Sequence, residues 1–211
     1  MEFLVFPKNE EKACSMETYM RNQFSFAGVP KPERWKLQQT FLLASKELSI
    51  PELFSFVFYY YEKIEREYQY FAIDLIQQNI KRLSLDELIE LSALLSEKAW
   101  WDKIDAWRKV YATWCKFHIN QLETVARLFE KKEDFWLRRI VITLQIGFKE
   151  DTHTQLLARV ITTDRATKEF FIQKAIGWAL RDYSKTNAHW VKEQLTKEWS
   201  ALTIREASKY L

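Results

Sequence analysis

The chain has 211 residues, enough for one sizeable core or for a stack of small units. Only 3 Gly and 4 Pro, with 47% hydrophobic and 29% charged residues, exclude a disordered or loop-rich chain and point to an all-helical one. A net charge of +3 is too small to mark a nucleic-acid binder, although a local basic patch is enough to hold phosphates.

No apolar run approaches the roughly 20 residues that a membrane span requires. The opening MEFLVF is too short and lacks the basic flank of a signal peptide. Cys14 and Cys115 each fall in a helical pattern and read as buried thiols of a reducing compartment. A cytoplasmic protein is expected. His118, His153 and His189 are scattered, without Cys or carboxylate partners at ligand spacing, so no metal is expected. A glycine-rich phosphate loop and a nucleophile elbow are both missing, and no cofactor is expected. Sixteen per cent aromatic residues, including 9 Trp, is more than a core of this size needs.

In chain order, the pattern predicts a first helix over Lys8–Gln23. FAGVPKPER (Phe26 to Arg34) is the clearest break, with Gly28, Pro30 and Pro32 ending one helix and starting another. Trp35–Leu48 is the next predicted helix, and Ser49-Ile50-Pro51 closes it and caps its successor. Leu53–Lys63 and Glu65–Ile80 form a helical pair, whose aromatic-rich join suits packing between helices better than base stacking. SLDE at Ser84 to Glu87 is a capping box opening a helix through Leu95. Further helices are predicted over Trp100–His118, Asn120–Phe129, Trp136–Phe148, Thr154–Ile161, Phe170–Tyr183, Ala188–Trp199 and Thr203–Leu211. The last carries a second apparent capping box, TIRE at Thr203 to Glu206. Short helices joined by short polar turns suggest a solenoid of paired antiparallel helices in a single domain, not a bundle.

Three helices carry more than core residues. In Trp100–His118, the positions Trp100, Ile104, Trp107, Tyr111 and Trp114 form a core stripe, and Trp101, Asp105 and Arg108 lie on an adjoining face. In Trp136–Phe148 the core is Leu137, Ile140, Val141, Leu144 and Phe148, flanked by Trp136, Arg139 and Thr143. In EFFIQKAIGWALRDYSKTN (Glu169 to Asn187), Ile172, Ile176, Ala179, Leu180 and Tyr183 make the apolar stripe. Its second stripe is Phe171, Lys174, Trp178, Arg181 and Lys185, where cations alternate with rings. That mixture suits a nucleic acid. The plainer alternative has Trp178 packed on the next helix and the cations solvated. Trp101, Arg139 and Trp178 are spaced by 38 and then 39 positions, close to the roughly 40-residue period of HEAT-type units. Equivalent positions on successive inner helices would line one surface. For Asp105 the plain alternative is pairing with Arg108 or Lys109 on its own helix.

KAWWDKIDAW (Lys98 to Trp107), FWLRRIVITLQIGFK (Phe135 to Lys149) and EFFIQKAIGWALRDYSKTN resemble the AlkD-like DNA alkylation repair family. Tyr19-Met20-Arg21-Asn22 and the segment to Arg34 are similar to that family's N-terminal signature, and the likeness runs from about Tyr19 to the C-terminus. The resemblance implies an all-α, HEAT-like repeat fold whose concave face holds duplex DNA. It further implies a monofunctional DNA glycosylase, acting as a monomer without metal or cofactor, and nucleoid-associated when bound. Its substrates would be cationic N3- and N7-alkylpurines, released without base flipping. By the resemblance, the catalytic residues are Asp105, Trp101, Trp178 and Arg139. Tyr19, Arg138, Phe170 and Phe171 match the DNA-facing surface, where Lys174, Arg181 and Lys185 would add backbone affinity.

The residue types fit that chemistry. A cationic alkylpurine leaves as a neutral base without protonation, so the task is to stabilise oxocarbenium character on the sugar. A carboxylate such as Asp105 can do this and orient water. Trp101 and Trp178 can favour a cationic nucleotide by cation–π attraction, on the order of 0.5–2 kcal/mol each. Arg139 would anchor a phosphate. One departure stands out: family members that cleave usually carry a further helix before the segment equivalent to Lys8–Gln23, and here only MEFLVFP precedes it. The alternatives are therefore a catalytically silent paralogue with weak DNA binding and, third, a protein–protein adaptor.

Overall fold

The computed structural model describes residues 3–211. Among these, every regular element is helical. The chain divides into two compact units, one running to Leu83 and the other from Ser84 to Leu211.

The first unit contains α1 (Glu10–Tyr19), α2 (Lys31–Ala44), α3 (Ile50–Glu62) and α4 (Arg66–Asn79). α3 starts where the sequence places a cap: Ser49 and Glu52 form a reciprocal capping box and Pro51 sits in the first turn. α3 and α4 pack through Leu53, Val57, Tyr60 and Tyr61 against Phe71, Ala72, Leu75 and Ile76, all fully or almost fully buried. The break before α2 is anchored from inside. The buried Glu67 carboxylate accepts backbone N–H bonds from Ala27, Gly28 and Val29 at 2.9–3.0 Å. Gly28 has φ +88°, and a Cβ there would stand 2.1 Å from the Asn9 carbonyl oxygen, so only glycine fits. α1 is shorter than the sequence suggests, because Arg21 and Asn22 turn to positive φ directly after it. It buries no residue, and Cys14 is exposed, which corrects the expectation of two buried thiols. Cys115 is buried as expected.

The second unit contains α5 (Leu85–Leu91), α6 (Trp101–Phe117), α7 (Leu122–Arg127), α8 (Phe135–Thr143), α9 (Thr154–Thr163), α10 (Phe170–Ser184), α11 (Ala188–Leu195) and α12 (Ala201–Ala207). Its organising feature is a row in which α6 packs on α8, α8 on α10, and α10 on α12. α7, α9 and α11 attach to this row one by one. The stripes read from sequence supply the seams: Ile104, Trp107, Tyr111 and Trp114 on α6, and Ile172, Ile176, Ala179 and Leu180 on α10, are buried. Full burial of a side chain such as Ile172 contributes roughly 1.5–3 kcal/mol. Side-chain caps fix the starts of α8, α10 and α11: Asp134 accepts from Trp136 N, Glu169 from Phe171 N, and Asn187 from Trp190 N.

Three details differ from the sequence reading. α8 stops at Thr143, and the apolar continuation to Phe148 turns back through Gly147 at φ +82°. Leu137 is only half-buried, whereas Arg139 and Thr143, expected to flank the core, are buried inside it. The TIRE box does not cap the last helix. Ser200 is the cap, accepting from Thr203 N, and the Thr203 hydroxyl donates to the Gln173 carbonyl of α10. That inward turn exists because α12 lies directly on Gly177, where an added Cβ would be 2.5 Å from Glu206 Cβ.

Candidate functional site in the second unit

Asp105 sits on α6 one turn after Trp101, on a face rotated away from the Ile104–Trp107–Tyr111 core stripe. Its partner is neither Arg108 nor Lys109 but Arg139 of α8. Arg139 Nε donates to Asp105 Oδ1 and Nη2 to Oδ2, both at 3.0 Å. This is a two-bond fork on one carboxylate, the strongest common ion-pair geometry. The remaining terminal nitrogen, Nη1, donates to the Phe171 carbonyl of α10 at 2.6 Å. Three successive helices of the row are thus tied at one point.

Exposure divides the pair unequally. The Arg139 side chain is 1% exposed and that of Asp105 28%. The cation is interior and the carboxylate opens to solvent. Arg139, expected to reach a phosphate, has its fork on Asp105 and its remaining nitrogen on Phe171, with the side chain 1% exposed. Its neighbour Arg138 projects about 100° round the helix and is also engaged. Arg138 Nε donates to both oxygens of Asp164 at 3.1 Å, and its Nη1 to the carbonyls of Lys132 and Glu133.

Aromatic rings border the pair. The Trp178 ring lies 5.0 Å from the Arg139 guanidinium carbon and 5.1 Å from Lys174 Nζ. Lys174 also stands 5.4 Å from the Phe170 ring, which is exposed. Of the stripe read from sequence, only Lys174 and Trp178 stack, joined by Phe170 where Phe171 was expected. Trp178 is half-buried, and its indole N–H donates to Glu206 of α12 at 3.2 Å. Arg181 and Lys209 donate to the same carboxylate oxygen at 3.2 and 2.9 Å. The Lys209 hydrogen bond, helped by Trp178 and Arg181, holds the Glu206 carboxyl below the usual carboxylate range. Phe171 turns the other way, into a cluster with Trp136 (4.8 Å between ring centres) and Trp100 (5.7 Å). Lys185 is exposed and lies 4.7 Å from the Tyr210 ring.

Asp105, Arg139, Trp178, Lys174, Phe170 and Phe171 thus form one connected group, with Arg181 joined through Glu206. Half-buried Trp101 shares the α6 face of Asp105. Tyr19 is exposed at the end of α1 in the first unit. One participant was not anticipated: Glu206 was hidden in a false capping signature. Among the described residues, no group of three His, Cys, Asp or Glu could hold a metal ion, and no helix is long and apolar enough to cross a membrane.

The helical row has known counterparts. An AlkD2 structure from Streptococcus mutans matches with TM-score 0.68 and 20% identity, over 84% of this chain and 90% of that one. The smu.31 structure from the same organism matches with TM-score 0.67 and 21% identity, over 93% and 99%. These likenesses define the fold as an AlkD-like helical repeat. A chain from Enterococcus faecalis, described as a predicted DNA alkylation repair enzyme, matches with TM-score 0.97 and 48% identity over 99% of both chains. The model of the DNA alkylation repair enzyme family matches residues 4–211, and the chain belongs to that family. No curated protein matches it.

Proposed function

We infer that the protein is a monofunctional DNA glycosylase that hydrolyses the N-glycosidic bond of cationic N3- and N7-alkylpurines in duplex DNA. One observation carries this reading: a solvent-facing carboxylate, Asp105, held by a buried two-bond guanidinium and bordered by Trp178. The pair leaves its anionic half open to water, where a substrate can reach it. An oxocarbenium-like sugar needs a fixed negative charge that it can approach, at an orientation that costs no reorganisation.

The family resemblance, with this geometry in support, suggests the following roles. Asp105 stabilises positive charge on the deoxyribose and orients the attacking water. Arg139 does not touch the substrate; it is a positioning residue that fixes the carboxylate plane. Trp178 and Trp101 offer ring faces to a cationic nucleotide. Phe170, Lys174 and Lys185 add ring and backbone contacts on the α10 side. The departing base is neutral, so the site needs no general acid.

The reading is tested by incubating excess protein with an N7-methylated duplex and separating free base from DNA. Release of 7-methylguanine, leaving abasic sites and intact strands, is the expected result. Bound duplex without released base would support a catalytically silent member of the family.

A further inference from the structure

Arg108 lies on α6 three residues after Asp105, so one helical turn puts both side chains on neighbouring parts of one face. It is half-buried. Its Nε is screened from solvent and has no hydrogen-bond partner. The charged groups that face it are Asp105, Asp182 and Arg139. Neither carboxylate closes an ion pair with it, and both accept from other donors. Arg139 occupies the two oxygens of Asp105. The Gly147 backbone N–H donates to Asp182 Oδ2 at 2.6 Å. The other arginines near the site are matched: Arg138 with Asp164, Arg139 with Asp105 and Arg181 with Glu206. Burial, with Arg139 close by, pushes the Arg108 pKa below its ordinary value despite the two acids.

A guanidinium held half out of water with its Nε unpaired is costly to the free protein. It is the right group to receive an anion, because its planar fork offers two parallel N–H donors and is only weakly hydrated. We propose that Arg108 is the phosphate anchor of this site, taking a backbone phosphate of duplex DNA in a two-bond contact next to the Asp105–Arg139 pair. It fills the role that the family resemblance implies for Arg139. The assignment rests on reading the site as one that binds DNA.

The test compares wild type, Arg108→Met and Arg108→Lys on a duplex containing an abasic-site analogue, with affinity followed by anisotropy across a salt series. One lost phosphate contact makes the slope of log K against log salt shallower by about 0.9, which is about 8-fold in affinity at 0.1 M salt. Arg108→Met is expected to show this loss, while Arg108→Lys keeps the wild-type slope. The Tm of Arg108→Met is expected to equal or exceed wild type, since a half-buried charge with an unpaired Nε is removed. If wild type binds and Arg108→Met keeps its slope, the anchor is refuted while the proposed function stands. A fall in Tm that Arg108→Lys does not rescue also refutes the anchor and makes Arg108 structural. If wild type binds no duplex at any salt, the proposed function fails and the anchor with it.

Discussion

Cutting the Asp105–Arg139 pair from either side should have unequal consequences. Asp105→Ala leaves a guanidinium that is 1% exposed with only the Phe171 carbonyl and the Trp178 face for company. Stranding a buried charge costs about 3–5 kcal/mol. Arg139→Met leaves a carboxylate that is 28% exposed and that water can reach, while methionine refills most of the buried volume. That loss is about 1–2 kcal/mol. The difference, about 2 kcal/mol, is set by where the two halves sit. The double variant should recover part of the Asp105→Ala loss, giving a coupling of about 1–3 kcal/mol. Urea unfolding followed by tryptophan fluorescence is a suitable assay. Of the nine tryptophans, Trp35 alone precedes Ser84, so the signal reports mainly on the second unit. Equal losses from the two single variants, or a coupling under about 0.5 kcal/mol, would refute the asymmetric pair.

Other outcomes follow from the same packing. Gly177→Ala puts a methyl 2.5 Å from Glu206 Cβ and 3.0 Å from the Thr203 carbonyl. It should cost about 1–3 kcal/mol and shift tryptophan emission as α12 lifts and the Trp178 hydrogen bond loosens. The Glu206 carboxyl is held below its unfolded value of about 4.3, so its stabilising share is complete above that pH and is lost as pH falls through the lower folded value. Glu206→Gln should therefore lower Tm at neutral pH, with the gap to wild type closing below about pH 4. The two cysteines should differ in a thiol titration of the native protein. Cys14 is exposed and reacts at once, whereas Cys115 is buried, its thiol pushed up to about 12, and should react only after unfolding.

The parts of this fold that were legible from sequence are those written in local patterns. The Ser49 and Ser84 boxes and the apolar stripe of α10 stand where periodicity and capping residues put them. The spacing of Trp101, Arg139 and Trp178 placed them on α6, α8 and α10, and the family resemblance supplied their roles. What could not be read depends on partners far along the chain. The burial of Arg139 is set by Asp105, 34 residues earlier. Thr203 and Glu206 imitate a capping box, but both face α10 because Gly177 lets α12 settle there. The end of α8 hides in an apolar run whose one signal is Gly147. Cys14 was read as buried because it falls in a helical pattern, yet α1 buries none of its residues.

The central claim is that the open carboxylate of Asp105 accelerates glycosidic cleavage. Single-turnover release of 7-methylguanine, with protein in excess over a methylated duplex, tests it most directly when wild type and Asp105→Asn run side by side. Wild type should release base steadily and the variant about 10²–10³-fold more slowly, with duplex binding retained. Equal rates from both proteins, or no release by wild type at saturating protein with binding verified, would contradict it.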